Sequence, residues 1–258
     1  MLDILFERAR QGHRTIKFPT ELPVLPDRFR GLPILPPAAC AEGCKACVDA
    51  CPTEALKLVA SADGIARLQI DMGRCLFCTD CQEACPEGKL GYTAEYRLAA
   101  RTREALVLRG QPYEPCGPLD RDLRKLLGRS LKLRQVSAGG CNGCEADVNV
   151  LGTIGYDLGR FGIQFVASPR HADGLLITGP VTENMRAALL TTYRAMPPPK
   201  IVIAVGACAI SGGPFAGNPE VHNGADSVVP VDLYIPGCPP HPLTILDGLL
   251  SLLGRRGG

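Results

Sequence analysis

Two cysteine runs with nearly the same spacing constrain this chain more than any other feature. Cys75, Cys78, Cys81 and Cys85 are followed by Pro86 in the order C-x2-C-x2-C-x3-C-P, and Cys40, Cys44, Cys47 and Cys51 by Pro52 with one extra residue between the first two thiols. The text around them repeats as well: Cys-Val-Asp-Ala-Cys-Pro against Cys-Gln-Glu-Ala-Cys-Pro. Runs of this kind bind iron–sulfur clusters, and a repeated run implies an internal duplication. The alternative, zinc or chance spacing, is weak for the second run and less so for the first, whose extra residue predicts a wider loop at Cys40 turned by Glu42-Gly43. A three-iron cluster there is the remaining variant.

The remaining cysteines fall in three separate places. Cys141 and Cys144 stand in Gly-Gly-Cys-Asn-Gly-Cys-Glu, Cys208 in Gly-Ala-Cys-Ala-Ile-Ser-Gly-Gly, and Cys238 in Ile-Pro-Gly-Cys-Pro-Pro-His-Pro. A CxxC alone is ambiguous between a redox dithiol, half a zinc site and half an iron–sulfur site. Cys208 and Cys238 narrow the choice. Both lie in Gly/Pro-rich loops after apolar runs with strand composition, where loops at strand carboxyl ends converge. Four thiolates without histidine suit a [4Fe-4S] cubane. Cys116 belongs to no motif and reads as a thiol outside the ligand sets.

Thirteen cysteines in 258 residues, with no apolar leader and no twin arginine near Met1, favour metal ligation over a secreted disulfide framework. No apolar run approaches the roughly 20 residues needed to cross a bilayer. The expected location is therefore cytoplasmic. A formal charge of +2 and the absence of tryptophan give no reason to expect nucleic acid as a partner.

Along the chain, Leu2, Leu5, Phe6 and Ala9 predict a short amphipathic helix. It would pack either on its own domain or on a partner. Six prolines from Pro19 to Pro37 predict an extended arm. Residues Tyr92 to Val107 read as a helix with a solvated face, from the spacing of Leu98, Arg101 and Ala105. A Gly/Pro-rich stretch from Arg109 to Gly117 marks a boundary, and Leu119 to Leu127 read as a short helix. Thereafter the pattern alternates. Strands are expected at Leu131–Val136, Ile163–Ala167, Leu175–Thr178, Lys200–Val205 and Val228–Ile235. Helices are expected at Glu145–Leu158, from a Thr182 cap to Met196, and at Pro242–Leu253. This rhythm predicts α/β architecture with a parallel, doubly wound sheet. Its first βα loop lacks GxGxxG and carries CNGC instead.

The order CNGCE, GACAISGG, IPGCPPHP resembles the small subunit of group 4 membrane-bound [NiFe] hydrogenases and formate hydrogenlyases, from about Leu131 to Leu253. It is more distantly similar to the twenty-kilodalton iron–sulfur subunit of complex I, in which the first two cysteines are adjacent. Arg28-Phe29-Arg30-Gly31-Leu32-Pro33 and Arg74-Cys75-Leu76-Phe77-Cys78 resemble the ferredoxin-like subunit of the same complexes, over roughly residues 1–105. That subunit is related to the twenty-three-kilodalton subunit of complex I. The chain thus looks like a fusion of two subunits that are usually separate. The resemblance implies an α+β two-[4Fe-4S] ferredoxin domain at 1–110, a linker at 111–130, and a flavodoxin-like [4Fe-4S] domain at 131–258.

In the ferredoxin fold the fourth cysteine of each run serves the other cluster. The expected sets are Cys40, Cys44, Cys47 and Cys85; Cys75, Cys78, Cys81 and Cys51; and Cys141, Cys144, Cys208 and Cys238. Three [4Fe-4S] clusters would relay electrons, with no catalytic residue in this chain. The implied partners are a large subunit like that of [NiFe] hydrogenase or the forty-nine-kilodalton one of complex I, membrane-arm subunits, and an electron donor or acceptor protein. They would hold the chain peripherally on the cytoplasmic face of the inner membrane. The alternatives are a complex I-like quinone oxidoreductase module and a zinc-stabilised scaffold.

Glu145 is read as a favourable charge at a helix N-terminus, or as a group that hydrogen-bonds near the third cluster or relays protons. His171 reads as a loop histidine, and His241 as a non-ligand because four thiolates already complete the set. Ser137 and Ser211 lack the companions of a hydrolase.

Overall fold

The computed structural model describes residues 2–36, 40–41, 43–60 and 66–255. An exposed helix α1 (Leu2–Gln11) leads into an extended, proline-punctuated arm. Then come β1 (Pro33–Ile34), the single-turn helix α2 (Ala46–Asp49), β2 (Leu56–Ala60), β3 (Ala66–Asp71), the single-turn helix α3 (Asp80–Glu83), β4 (Gly91–Tyr92) and β5 (Val107–Leu108). Antiparallel strands β2, β3 and β5 form one sheet, and β1 pairs with β4. Each cysteine run thus winds through one helical turn, the two turns facing one another across the duplicated unit.

The C-terminal half contains α4 (Arg121–Leu127), β6 (Leu131–Ser137), α5 (Gly143–Val150), β7 (Ile163–Phe165), β8 (Gly174–Thr178), α6 (Glu183–Ala195), β9 (Ile201–Val205), α7 (Ala207–Ser211), β10 (Leu233–Ile235) and α8 (Pro242–Leu252). The five strands pair in parallel in the order β10-β9-β8-β6-β7. Counted from β6 as the first, this is the 2-1-3-4-5 order of the flavodoxin-like sheet, with its switch point between β6 and β8. Every residue of β8 and β9 is buried, as central parallel strands covered on both faces require. Helix α8 is buried along its whole length, which explains its nearly continuous Leu/Ile composition.

Several expected boundaries contract. The helix expected over Glu145–Leu158 ends at Val150 and gives way to turns, and the last strand begins at Leu233 rather than Val228. Thr182 stands at the N-cap of α6 but its side chain makes no capping bond. The turn at Glu42 lies outside the described residues; next to it, Gly43 has φ +75° and Cys44 N–H donates to the Ala41 carbonyl at 3.0 Å.

One expected element is absent. Tyr92–Val107 is not a helix; beyond β4 it runs extended to a short 3-10 turn at Glu104–Leu106. Leu98, Ala99 and Ala100 are all buried, and Ala100 exchanges two 2.9 Å backbone hydrogen bonds with Tyr234. The segment therefore lies against edge strand β10 and satisfies backbone groups that would otherwise be exposed. The helical spacing of Leu98, Arg101 and Ala105 was coincidental. The charges serve tertiary bonds: Arg101 Nε donates to the Asp232 carbonyl at 2.8 Å, and the Arg103 guanidinium forks onto the Asp71 carboxylate.

Both halves share one apolar core, which runs from Leu56, Ile70 and Leu106 to Ile177, Ile210 and Tyr234. Across the seam, Ser211 Oγ donates to the Gly73 carbonyl at 2.9 Å, and a side chain at position 73 would collide with Ile210 and Arg103. Segment 111–130 packs as well: Cys116, Leu119 and Leu127 are buried against the core containing α8.

Candidate iron–sulfur sites

Cys40, Cys44, Cys47 and Cys85 together line one small cavity, capped by Leu68, Leu90, Pro36 and Pro86. Cys51, Cys75, Cys78 and Cys81 line a second, with Thr53, Leu56, Ile70 and Tyr92. The fourth cysteine of each run is thus carried across to the other run, because the two helical turns pack face to face. Among the described residues no three metal-binding side chains close on a single ion. Each set instead rings a void, as a cubane requires, since its corners hold the thiolates apart.

Burial works against thiolate formation at both sites. It pushes Cys47 up to about 11 and Cys75 up to about 12, with neighbouring thiols adding to the effect at Cys47. Bound iron would offset this cost, because a coordinated thiol is deprotonated outright. Backbone amides are already aimed at sulfur: Ala55 N–H donates to Cys51 Sγ at 3.2 Å and Phe77 N–H to Cys75 Sγ at 3.3 Å. The Cys85 thiol is held below its usual range by the backbone N–H groups of Lys89, Glu87, Leu90 and Gly88. Tyr92 had no signature in the sequence. Its hydroxyl donates to the Cys78 carbonyl at 2.8 Å, and burial with the Cys75 and Cys81 thiols keeps it protonated, a donor to the sulfur side of the cavity.

The third set assembles at the carboxyl ends of the parallel strands. Cys141 and Cys144 follow β6 on a turn that Asn142 makes at φ +71°, a conformation asparagine tolerates better than most side chains. Cys208 opens α7 after β9, and Cys238 follows β10. Gly206, at φ +91°, lies so close that a Cβ there would collide with Cys144 Sγ. That close approach explains the glycine in Gly-Ala-Cys. The four thiols feel one another: burial and then Cys208, Glu145, Cys238 and Cys141 push Cys144 up, and burial, Cys238 and Cys141 push Cys208 to about 12. Cys141 and Cys238 are nevertheless exposed, unlike any cysteine of the first two sets.

Glu145 is buried behind this set. Ser137 Oγ and Thr178 Oγ1 each donate to its Oε1 at 2.6 Å. Burial pushes the carboxyl up, but these bonds and its own backbone N–H together hold it below the usual range. It is therefore a charged anchor across the β6/β8 switch point, and Ser137 finds its role here. His241 caps α8, its Nδ1 accepting from Leu243 N–H at 3.1 Å, with its ring edge-on to Phe29. His171 is an exposed residue of a 3-10 turn.

The second and third sets approach each other. The Cys78 thiol contributes to raising Cys238, and a cleft of about 330 Å³ runs between Leu76-Phe77 and Pro236–Pro242. The helical turns that bear Cys81 and Cys47 likewise pack against each other.

Thiolate sets on a flavodoxin-like sheet and a duplicated ferredoxin unit define an electron-transfer iron–sulfur subunit of an oxidoreductase. Residues 39–89 match the family model for a 4Fe-4S dicluster domain, and residues 141–252 match that for the 20 Kd subunit of NADH ubiquinone oxidoreductase. The chain is 45% identical over 133 residues to the Pyrococcus furiosus protein "Probable membrane-bound hydrogenase subunit mbhJ", an alignment covering 52% of this chain and 80% of that protein. It is 46% identical over 141 residues to formate hydrogenlyase subunit 7 of Escherichia coli, covering 55% of each. Against the B subunit of the NADH-quinone oxidoreductase of Clostridium beijerinckii it is 48% identical over 110 residues, covering 42% of this chain and 65% of the other. A chain of an archaeal membrane-bound sulfane sulfur reductase aligns at 36% identity with a TM-score of 0.46, over 53% of this chain and 75% of that one. The chain belongs to the family of this small complex I subunit and its hydrogenase relatives.

Proposed function

We propose that this chain is the three-cluster electron wire of a membrane-bound complex of the [NiFe]-hydrogenase type. Bound [4Fe-4S] clusters supply one-electron carriers. The ligand sets are Cys40/Cys44/Cys47/Cys85, Cys75/Cys78/Cys81/Cys51 and Cys141/Cys144/Cys208/Cys238, and residues 1–110 and 131–258 are the two units that carry them. The observation that carries this reading is the series of four-thiol sets, with the helical turns that bear Cys47 and Cys81 packed together and with Leu76, Phe77 and Cys238 lining one cleft. The Cys75 set is thus the middle station. The chain's own residues line the first two sets with apolar side chains, direct amides at their sulfurs, and leave Cys141 and Cys238 open to a docked large subunit. The CxxC spacing and the similarity to hydrogenase and hydrogenlyase subunits favour hydrogen chemistry in that partner.

The second reading is a quinone-reducing module, favoured by the comparable identity to quinone oxidoreductase subunits. The deciding experiment is isolation of the intact complex without oxygen. Nickel in the partner and hydrogen evolution from a reduced dye support the first reading; a nickel-free complex that reduces quinone establishes the second. The chain itself should hold about twelve iron and twelve labile sulfide. About eight would remove one set, and the Cys40 set is the first to re-examine. Cys116→Ala should leave the count unchanged.

A further inference from the structure

We infer that the Tyr92 hydroxyl sets the reduction potential of the second cluster alone, through a hydrogen bond to its cysteine sulfurs that strengthens on reduction. This rests on the reading that Cys51, Cys75, Cys78 and Cys81 hold a [4Fe-4S] cluster. It adds which residue makes the two duplicated sites unequal.

Tyr92 lines the second cavity together with all four of those thiols. Its place there is held from two sides. On the backbone β4 pairs Tyr92 with Pro33 of β1, and its ring lies tilted against Phe77 with centroids 6.1 Å apart. The hydroxyl donates to the Cys78 carbonyl at 2.8 Å, and it is also a hydrogen-bond partner of the Cys75 and Cys81 thiols, drawing both toward the thiolate. A phenol has one proton to donate, so these acceptors compete for it. Hydrogen bonds to an ionised acceptor are roughly twice as strong as neutral ones, which favours thiolate sulfur over the carbonyl. Reduction adds one electron to the cluster and more negative charge to its sulfurs. No proton moves, because burial and the neighbouring thiols hold the Tyr92 pKa far above its ordinary value. A donor bound more tightly by the reduced form raises the potential.

The duplicated partner site has no such group. Among the described residues the first cavity is walled by Pro36, Leu68, Pro86 and Leu90, and its two charged side chains, Glu87 and Lys89, pair with each other. No hydroxyl lines it. The second cavity has one other hydroxyl, on Thr53, but its proton goes to the Arg74 carbonyl at 2.7 Å, and the oxygen stands 4.0 Å from Cys51 Sγ. Tyr92 is therefore the side-chain donor that distinguishes the two halves of the repeat. At the middle station of the wire its effect enters the driving force of both electron transfers.

The test is a redox titration of the full-length, cluster-loaded chain followed by electron paramagnetic resonance, the second cluster being the signal that Cys78→Ser alters. Tyr92→Phe keeps the ring against Phe77 and removes only the donor. At a fixed potential the ratio of reduced to oxidised second cluster should fall about fivefold, a negative shift of roughly 40 mV at about 59 mV per tenfold. The first and third clusters should not move. Replacing Tyr92 by 3,5-difluorotyrosine, a stronger donor, should shift the second cluster the opposite way. That reversal of sign is something a merely structural ring could not produce. A full iron count with no shift, with equal shifts in all three clusters, or with the same sign for both replacements would overturn the inference alone. Should Tyr92→Phe lose iron, the sign of the difluorotyrosine shift decides. A wild-type chain without iron at the second set would overturn the cluster reading and this inference with it.

Discussion

The two N-terminal cysteine sets and the C-terminal set solve the same chemical problem in opposite ways. In the N-terminal unit eight cysteines from two repeated runs line two small cavities, three of them buried and the other five partly so. In the C-terminal half, three loops at the end of a parallel sheet bring four cysteines together and leave two at the surface. A closed site protects a relay. An open one has to be covered by whatever receives its electrons. The difference follows from topology: duplication lets two turns cap each other, whereas strand ends on an open sheet have only solvent or a partner beyond them.

The strongest way to break this comparison is to remove one ligand from each kind of site. Cys144→Ser should reduce turnover with every acceptor to background while the N-terminal clusters still assemble. If the partner carries the hydrogen chemistry proposed above, Cys78→Ser should stop reaction with the physiological donor yet spare hydrogen–deuterium exchange in that partner. The opposite outcome, exchange lost with Cys78→Ser and turnover kept with Cys144→Ser, would reverse the order of the wire.

The seam offers the next test. Arg103→Ala leaves the Asp71 carboxylate half-buried without its fork, and Asp71 also accepts from Gly73 N–H at 2.9 Å beside α7. The expected cost is about 3 kcal/mol by denaturant unfolding. A single unfolding transition for the wild-type chain would follow from the shared core, whereas two separate transitions would show that the halves are only adjacent.

At the open site, Glu145→Ala removes the acceptor of two buried hydroxyls. It should cost about 2 kcal/mol, and Glu145→Gln, which keeps one acceptor, less. An unchanged stability would mean that water replaces the carboxylate and that the switch point is not anchored there. The smallest effect concerns His241. Burial lowers its pKa, and its neutral ring caps α8 just beyond Cys238. Folding therefore favours the neutral form. The cap's contribution, about 1 kcal/mol, is complete above the ordinary histidine value of about 6.5 and is lost as pH falls from there through the lowered pKa of the folded state. His241→Asn should keep the cap and flatten stability between pH 7 and 5; an unaltered pH profile would assign the dependence to other groups.

Much of this was written locally. The cysteine runs and their duplication were visible because C-x2-C spacing and the repeat are properties of short stretches. The βα rhythm gave away the parallel sheet because continuous apolar runs such as Ile201–Val205 have few other uses. The failure at Tyr92–Val107 was of a different kind. Leu98, Ala99 and Ala100 are extended because β10, far later in the chain, supplies an edge, and no local pattern contains that information. Tyr92 and Ser137 were silent for the same reason: each matters through a partner distant in sequence or across a turn.

What the sequence alone determined is the chemistry: three groups of thiols, two repeated turns, one alternating α/β half, and an amphipathic helix at the start. Only the tertiary structure decided how those groups are arranged. It set Leu76 and Phe77 of the Cys75 run beside Cys238, built one core that both halves share, and left α1 uncovered. Ligand identity depends on spacing of a few residues, which the chain encodes locally. The order of stations depends on packing between surfaces remote in sequence, where many weak contacts, none individually legible, sum to one docking geometry.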